Sequence, residues 1–178
     1  SLVRAEGGAN PLSTTTDPTT GLLRITRDAS GVAEDITDRL HGGSIGGLLA
    51  ARDGALEDAL TGLDQLAFDI AGAYNVAHAA GFGLDGVAGR ALFDAGATAS
   101  GAALAFSVSS DVAGLPDRIA AATDPTLTAG DNRNALALTA LSETRFTTAG
   151  RTPSEGLSDL VASVGRGVDR AARDESMF

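Results

Sequence analysis

The stretch Ile45–Ala80, IGGLLAARDGALEDALTGLDQLAFDIAGAYNVAHAA, decides the fold. Leu49, Leu56, Leu60, Leu63, Ala67, Ile70, Tyr74 and Ala77 recur at a step of seven and then at alternating steps of four and three. That is the a/d seam of a coiled-coil or bundle helix. Asp53 takes the one seam position that is not apolar. At 1.5 Å per residue the span predicts a continuous rod of about 50 Å. Gly62 and Gly72 each weaken it by about 1 kcal/mol relative to Ala, and Gly81 and Gly83 end it. Glu57, Asp58, Asp64, Gln65 and Asp69 form the opposite face, expected to be solvated or turned towards a partner.

Upstream, the pattern changes to alternation. Leu22–Thr26 and Val32–Thr37 flank the turn residues Asp28-Ala29-Ser30-Gly31 and predict a β-hairpin. The preceding NPLSTTTDPTTG, residues 10–21, reads as an exposed loop. Downstream, residues 81–96 read as a loop anchored by Phe82, Leu84, Leu92 and Phe93, and residues 103–112 as a strand. A short helix is expected at Pro116–Ala122 and a second after residue 132, capped by Asn132 or Asn134. Thr152, Pro153 and Glu155 form a capping box with Pro at the first helical position. The helix they start carries Leu157, Leu160, Val161, Val164, Val168 and Ala171 on one face, expected to pack on the long helix.

The expected fold is therefore mainly α with a minor β part: a long-helix bundle plus a β-hairpin and a short strand. The chain is read as a single core domain, 1–178. Its parts are a hairpin region at 1–40, the long helix at 45–80, a mixed loop and strand region at 83–130 and C-terminal helices at 132–175. Composition agrees. Ala fills 34 of the 178 positions while aromatics reach only 4%, which favours closely approaching helices. All thirteen basic residues are Arg, set against 23 acidic residues for a net charge of −10. Such a chain is repelled by phosphate backbones and anionic lipid surfaces, so neither nucleic acid nor membrane is an expected partner. With no Cys there is no disulfide framework and no thiolate zinc site. The chain starts at Ser1 with no basic-then-apolar leader and is expected to be a piece of something longer.

The start of the long helix invites a chemical reading. Gly42-Gly43-Ser44-Ile45-Gly46 spells G-x-S-x-G. A nucleophile elbow needs a buried apolar strand just before the serine and a base returned by the fold. Here Asp35–Leu40 precede it, and the downstream His78 lies about 45 Å or more along a helix. A serine hydrolase at Ser44 is thus the weaker reading, and Ser44 as a helix cap the stronger. A Walker-type loop would need the Lys that this chain lacks. His41 and His78 have no partner at metal-ligand spacing, and Asp85-Gly86 lacks the carboxylate ladder of a calcium loop. The pairs Glu34/Asp35 and Glu57/Asp58 read as solvated surface. The expectation is no enzyme: no catalytic, cofactor-binding or metal-binding residue and no cofactor.

Two stretches carry a resemblance. Residues 42–94, GGSIGGLLAARDGALEDALTGLDQLAFDIAGAYNVAHAAGFGLDGVAGRALFD, hold a Gly-Gly-x-x-Gly-Gly-Leu-Leu helix start, an Asn-x-x-His at Asn75 and His78, and a loop with Gly83, Asp85, Gly89 and Phe93. Gly130–Phe146, GDNRNALALTALSETRF, is followed by SEGLSDLVASVGRGVDRA. Together, in this order, they resemble the flagellar hook-associated proteins that form the first hook–filament junction ring, without the family's terminal coiled-coil segments. The resemblance implies a structural subunit of the bacterial flagellum, exported to the outside without a cleaved signal peptide. Its implied partners are the hook protein, the next junction protein, further copies of itself in a ring and a dedicated export chaperone. Another axial protein, a filament or cap subunit, is the alternative within this class.

Overall fold

The computed structural model describes residues 10–29 and 31–176. The chain divides into two compact units, one comprising residues up to Ala55 and from Gly167 onward, the other Leu56–Arg166.

The first unit contains β1 (Leu12–Thr16), β2 (Leu23–Ala29) and β3 (Val32–Asp35), antiparallel in the order β1-β2-β3. Thr14 pairs with Ile25, and Arg27 with Glu34. The expected hairpin is β2-β3. The expected loop at residues 10–21 is instead partly strand β1. Its β-branched threonines suit a pleated edge, and Ser13 and Thr26 join hydroxyls across the pair at 2.8 Å. Arg24 bridges Asp17 and Asp35. The Asp35 carboxylate accepts from the Thr37 N–H and pairs with Arg24, which together hold it down to about 2. The strand expected to reach Thr37 stops at Asp35, because Thr37 opens a 3-10 turn and turns its hydroxyl to the Ile25 N–H at 2.8 Å.

Helical residues run from Gly43 to Ala80 as α1 (Gly43–Ala50), a π-helical stretch Ala51–Leu56 and α2 (Glu57–Ala80). Gly46 at the start has a steric reason: a Cβ there would stand 2.7 Å from the His41 carbonyl carbon and 2.9 Å from the Leu40 oxygen. Gly42 is the N-cap, so Ser44 is not the cap; it lies exposed inside the first turn. Asp53, the polar exception in the seam, lies in the π-helical stretch and pairs with Arg52, whose guanidinium also donates to the Leu23 carbonyl at 2.6 Å.

In the second unit, α2 is joined by β4 (Phe93–Asp94), α3 (Ala102–Ala105), β5 (Ser107–Val108), α4 (Arg133–Ala140) and the first part of α5 (Pro153–Ser176). β4 and β5 pair antiparallel, Phe93 with Val108. The strand expected at 103–112 is reduced to β5, and the helix expected at Pro116–Ala122 to one 3-10 turn at Pro116–Arg118. At the start of the first stretch Asp64 of α2 takes the Ala103 N–H, and at the end of the second His78 of α2 takes the Ala120 N–H. The core consists of small residues, Ala71, Ala95 and Ala102, packed by Ala67, Phe68 and Phe93, as an Ala-rich chain with few rings requires.

Helical residues span 43–80 as expected, but the leucine half of the apolar seam is not turned inward. Further along, Ala67 packs on the core and Ile70, Tyr74 and Ala77 are half-buried. Leu56, Leu60 and Leu63 are 55%, 57% and 43% exposed. The face turned inward is the same pattern shifted by one residue: Asp64, Phe68, Ala71, Asn75 and His78. One residue is a rotation of 100°. Likewise Leu157, Val161, Val164 and Val168 of α5 are exposed; Ala171 has no described side chain. It is Leu160 and Gly156 that meet α2, on Gly62 and Leu66 respectively, so the two helices run antiparallel there. The capping box forms as expected: Thr152 Oγ1 accepts from the Glu155 N–H at 3.2 Å, and Glu155 Oε2 from the Thr152 N–H at 3.1 Å.

Candidate functional site

The motif residues converge at the C-terminal end of α2, in the second unit. Asn75 grips the loop beyond the helix. Its Oδ1 accepts from the Leu92 and Phe93 N–H groups at 2.8 and 2.9 Å, and its Nδ2 donates to the Phe93 carbonyl at 2.8 Å. The amide thus mimics a neighbouring strand, which is why the chain is extended there. One turn on, His78 is fully buried. Its Nδ1 lies 2.9 Å from the Arg90 carbonyl, and its Nε2 accepts from the Ala120 N–H at 2.9 Å.

The stretch Ala120–Ala122 is held from every side. Phe82 and Ala122 exchange backbone hydrogen bonds, and the N–H groups of Asn134 and Ala135 donate to the Ala121 carbonyl. Asn134, also buried, donates from Nδ2 to the Ala120 carbonyl at 2.7 Å. A helical conformation at 119–122 would withdraw these groups, so the expected helix stops short.

The loop motif has a part in each turn. Gly83 lies where a Cβ would stand 2.6 Å from the Asp117 carbonyl oxygen, Gly89 donates from N–H to the Ala79 carbonyl, and Asp85 receives both guanidinium nitrogens of Arg90. Arg90, with help from the Val87 N–H, holds the Asp85 carboxyl down to about 2. Of the expected anchors, Phe93 meets Tyr74 edge-on at 5.9 Å and stacks on Phe106 at 5.0 Å, while Phe146 meets Tyr74 at 6.5 Å. Phe82 and Leu92 are half-buried, and Leu84 stays 58% exposed.

In the second motif Asn132 stands at the N-cap position of α4, as expected, but makes no capping bond with its side chain, and Asn134 lies inside the helix. Asp131 does the work. It accepts from the N–H groups of Thr123, Asp124 and Arg133, the Thr123 hydroxyl and the Arg133 guanidinium. Arg133 first, then the backbone donors, holds its carboxyl well below the ordinary range.

Two positions on the supposed acidic face also turn inward. Asp64 caps α3 from another helix, accepting from the Gly101 and Ala103 N–H groups at 2.7 and 2.9 Å. Asp69 accepts from the Thr148 N–H at 2.6 Å, from its hydroxyl and from Gln65. Glu57 and Asp58 remain exposed. The one signal that could have found Asp64 is its place one residue after the seam, in step with Asn75 and His78.

The polar side chains of this arrangement are committed to backbone groups and to one another. His78, the base a hydrolase at Ser44 would require, has both ring nitrogens committed to backbone groups, and His41 is exposed. Among the described residues no cluster of three or more His, Asp or Glu is placed to hold a metal ion. No helix among them is long and apolar enough to cross a membrane.

The family model described as the flagellar hook-associated protein FlgK helical domain matches residues 1–93. That span holds the glycine-rich helix start, Asn75, His78 and the loop to Phe93; Gly130–Phe146 lies beyond it. The chain is similar to flagellar hook-associated protein 1 of Salmonella typhimurium and to the protein of that name in Salmonella typhi, each 36% identical over 80 residues. The alignments cover 45% of this chain and 14% of each relative's length. The chain belongs to the FlgK family of flagellar hook-associated proteins.

Proposed function

We propose that this chain is the core of a non-enzymatic structural subunit that joins hook to filament in a ring of identical copies. In this reading it is exported without a cleaved signal peptide and lies outside the cell in the flagellum. Its neighbours are the hook protein, the next junction protein and further copies of itself, with a dedicated chaperone during export.

The observation that carries the reading is the pair of uncovered apolar stripes in the second unit. Leu56 just before α2, Leu60 and Leu63 on α2, and Leu157, Val161 and Val164 on α5 are all exposed. With Gly62 against Leu160 and Leu66 against Gly156 as the contact, 100° per residue places both stripes on the same side of the antiparallel pair. Contiguous exposed apolar surface of this kind marks an interaction face, and its heptad spacing suits a further helix. The polar clasp meanwhile keeps one end of α2 rigid.

The test is genetic. Deleting the gene for the full-length protein should leave cells with hooks but no attached filaments, and with filament subunits lost to the medium. Normal filaments and normal swimming in that strain would refute the junction role.

A further inference from the structure

His78 is wholly enclosed, and what its ring can do is dictated by the two groups it meets. A backbone amide only donates and a carbonyl only accepts. The Ala120 N–H therefore requires a lone pair on Nε2, and the Arg90 carbonyl requires the proton on Nδ1. With both bonds made, the ring carries a proton on Nδ1 and offers the Nε2 lone pair. A second proton would have to sit on Nε2, where it would point an N–H at an N–H, in a place where water cannot solvate the charge.

No side-chain anion bonds to either ring nitrogen among the described residues. On the loop, Arg90 and Asp85 pair with each other. On the stretch leading to Ala120, the ionisable groups are Asp111, Asp117 and Arg118, the last directed at the Asp111 carbonyl. At the start of α4, Asp131 and Arg133 pair with each other. Arg90 holds Asp85 down to about 2, and Arg133 holds Asp131 well below the ordinary range. Both carboxylates thus stay charged across the mildly acidic range in which an ordinary imidazole, near pH ~6.5, takes up its proton.

The geometry points to His78 as an acid-sensitive latch: the ring holds the Ala120 stretch against the end of α2 or takes up a proton, but not both. Protonation withdraws the acceptor from the Ala120 N–H and frees the short bridge between Phe82 and Ala122, while the Ala71–Ala95–Ala102 core, which contains no titratable group, stays closed.

Nuclear magnetic resonance on the chain tests this directly, with the exposed His41 as an internal reference. From about pH 8 downward, the ring nitrogens of His78 should report the neutral Nδ1–H form. Proton uptake should then coincide with at least a tenfold rise in amide exchange at Phe82, Ala120 and Ala122, corrected for intrinsic rates, while Ala71 stays protected. Ring protonation with Ala120 still protected, an Nε2–H tautomer at high pH, or loss of Ala71 protection in the same step would each overturn the proposal. His78→Gln keeps an acceptor and a donor without a titrating group, so its Ala120 amide should stay protected over the same range. Opening of a folded His78→Gln protein in acid would overturn the latch as well, and the wild-type titration decides if that variant does not fold.

Discussion

Asn134 reaches the Ala120 carbonyl, 2.7 Å away, by passing across the bare α-carbon of Gly81. A Cβ on Gly81 would stand 2.2 Å from its Nδ2, 2.6 Å from its Cγ and 2.9 Å from the Ala122 carbonyl oxygen. Gly81 has an ordinary φ of −99°, so the demand is for space alone. Gly81→Ala should displace Asn134 and destabilise the protein by about 1–3 kcal/mol. Gly72, also in α2, has nothing within 4 Å of its Cβ position, and Gly72→Ala should stabilise by up to about 1 kcal/mol. Urea unfolding midpoints at unchanged slope would measure both.

Asn75 offers a second test at the same end of the helix. Asn75→Ala would leave the Leu92 and Phe93 N–H groups without their acceptor, at a cost of about 1–3 kcal/mol. Asn75→Asp keeps that acceptor but, while ionised, sets a carboxylate oxygen against the Phe93 carbonyl. Protonated in acid, its O–H replaces the lost donor, and there it should cost less than Asn75→Ala. Equal losses in the two variants in acid would show that the strand-like grip on the loop is not what the side chain contributes.

Acid sensitivity from the carboxylates has a definite sign. Asp85 and Asp35 are held down to about 2, and Asp131 lower still, from an ordinary value of 3.8. A carboxyl whose folded value is depressed contributes stability that is present above its unfolded value and lost as pH falls through the folded one. Stability should therefore decline from about pH 4 downward through pH 2. Asp131→Asn should flatten that decline, measured as melting temperature against pH. An unchanged slope in this variant would refute the role of Asp131 in the fold.

The two leucines Leu60 and Leu160 separate packing from assembly. Leu60 is 57% exposed, so Leu60→Ala should change the stability of the isolated chain by less than about 0.5–1 kcal/mol. Leu160 sits on Gly62, and Leu160→Ala should cost about 2 kcal/mol or more. In the full-length protein the order should reverse: Leu60→Asp together with Val161→Asp should abolish filament attachment while leaving the fold intact. Normal motility in that double variant would remove the apolar stripe from the proposed junction contacts.

Much of the architecture was legible in the residues. The heptad spacing announced the long helix, Gly81 its end, and the Thr152–Glu155 box the start of α5, because helix propensity, capping and periodicity are local properties. Asn75, His78 and the Gly83–Phe93 loop were singled out through their resemblance to a family, with no physical role attached. Their roles became visible only when the loop came back to the helix. Asp64 and Asp69 were misread as surface because a carboxylate on a helix is usually solvated, and no local pattern tells when a distant amide will seek it.

The sequence by itself therefore determined where the long helix, α4, α5 and the β2-β3 hairpin form. Which face of α2 turns inward was decided by tertiary structure. The apolar stripe was the natural candidate, yet the face one residue on, Asp64, Phe68, Ala71, Asn75 and His78, is the one the fold covers. Extended backbone at 92–93 and 120–122, and the start of α3 at 101–103, bring N–H and C=O groups that must be satisfied once they leave water. Polar side chains at helical spacing satisfy them, so the loops settle on those side chains and leave Leu56, Leu60 and Leu63 outside.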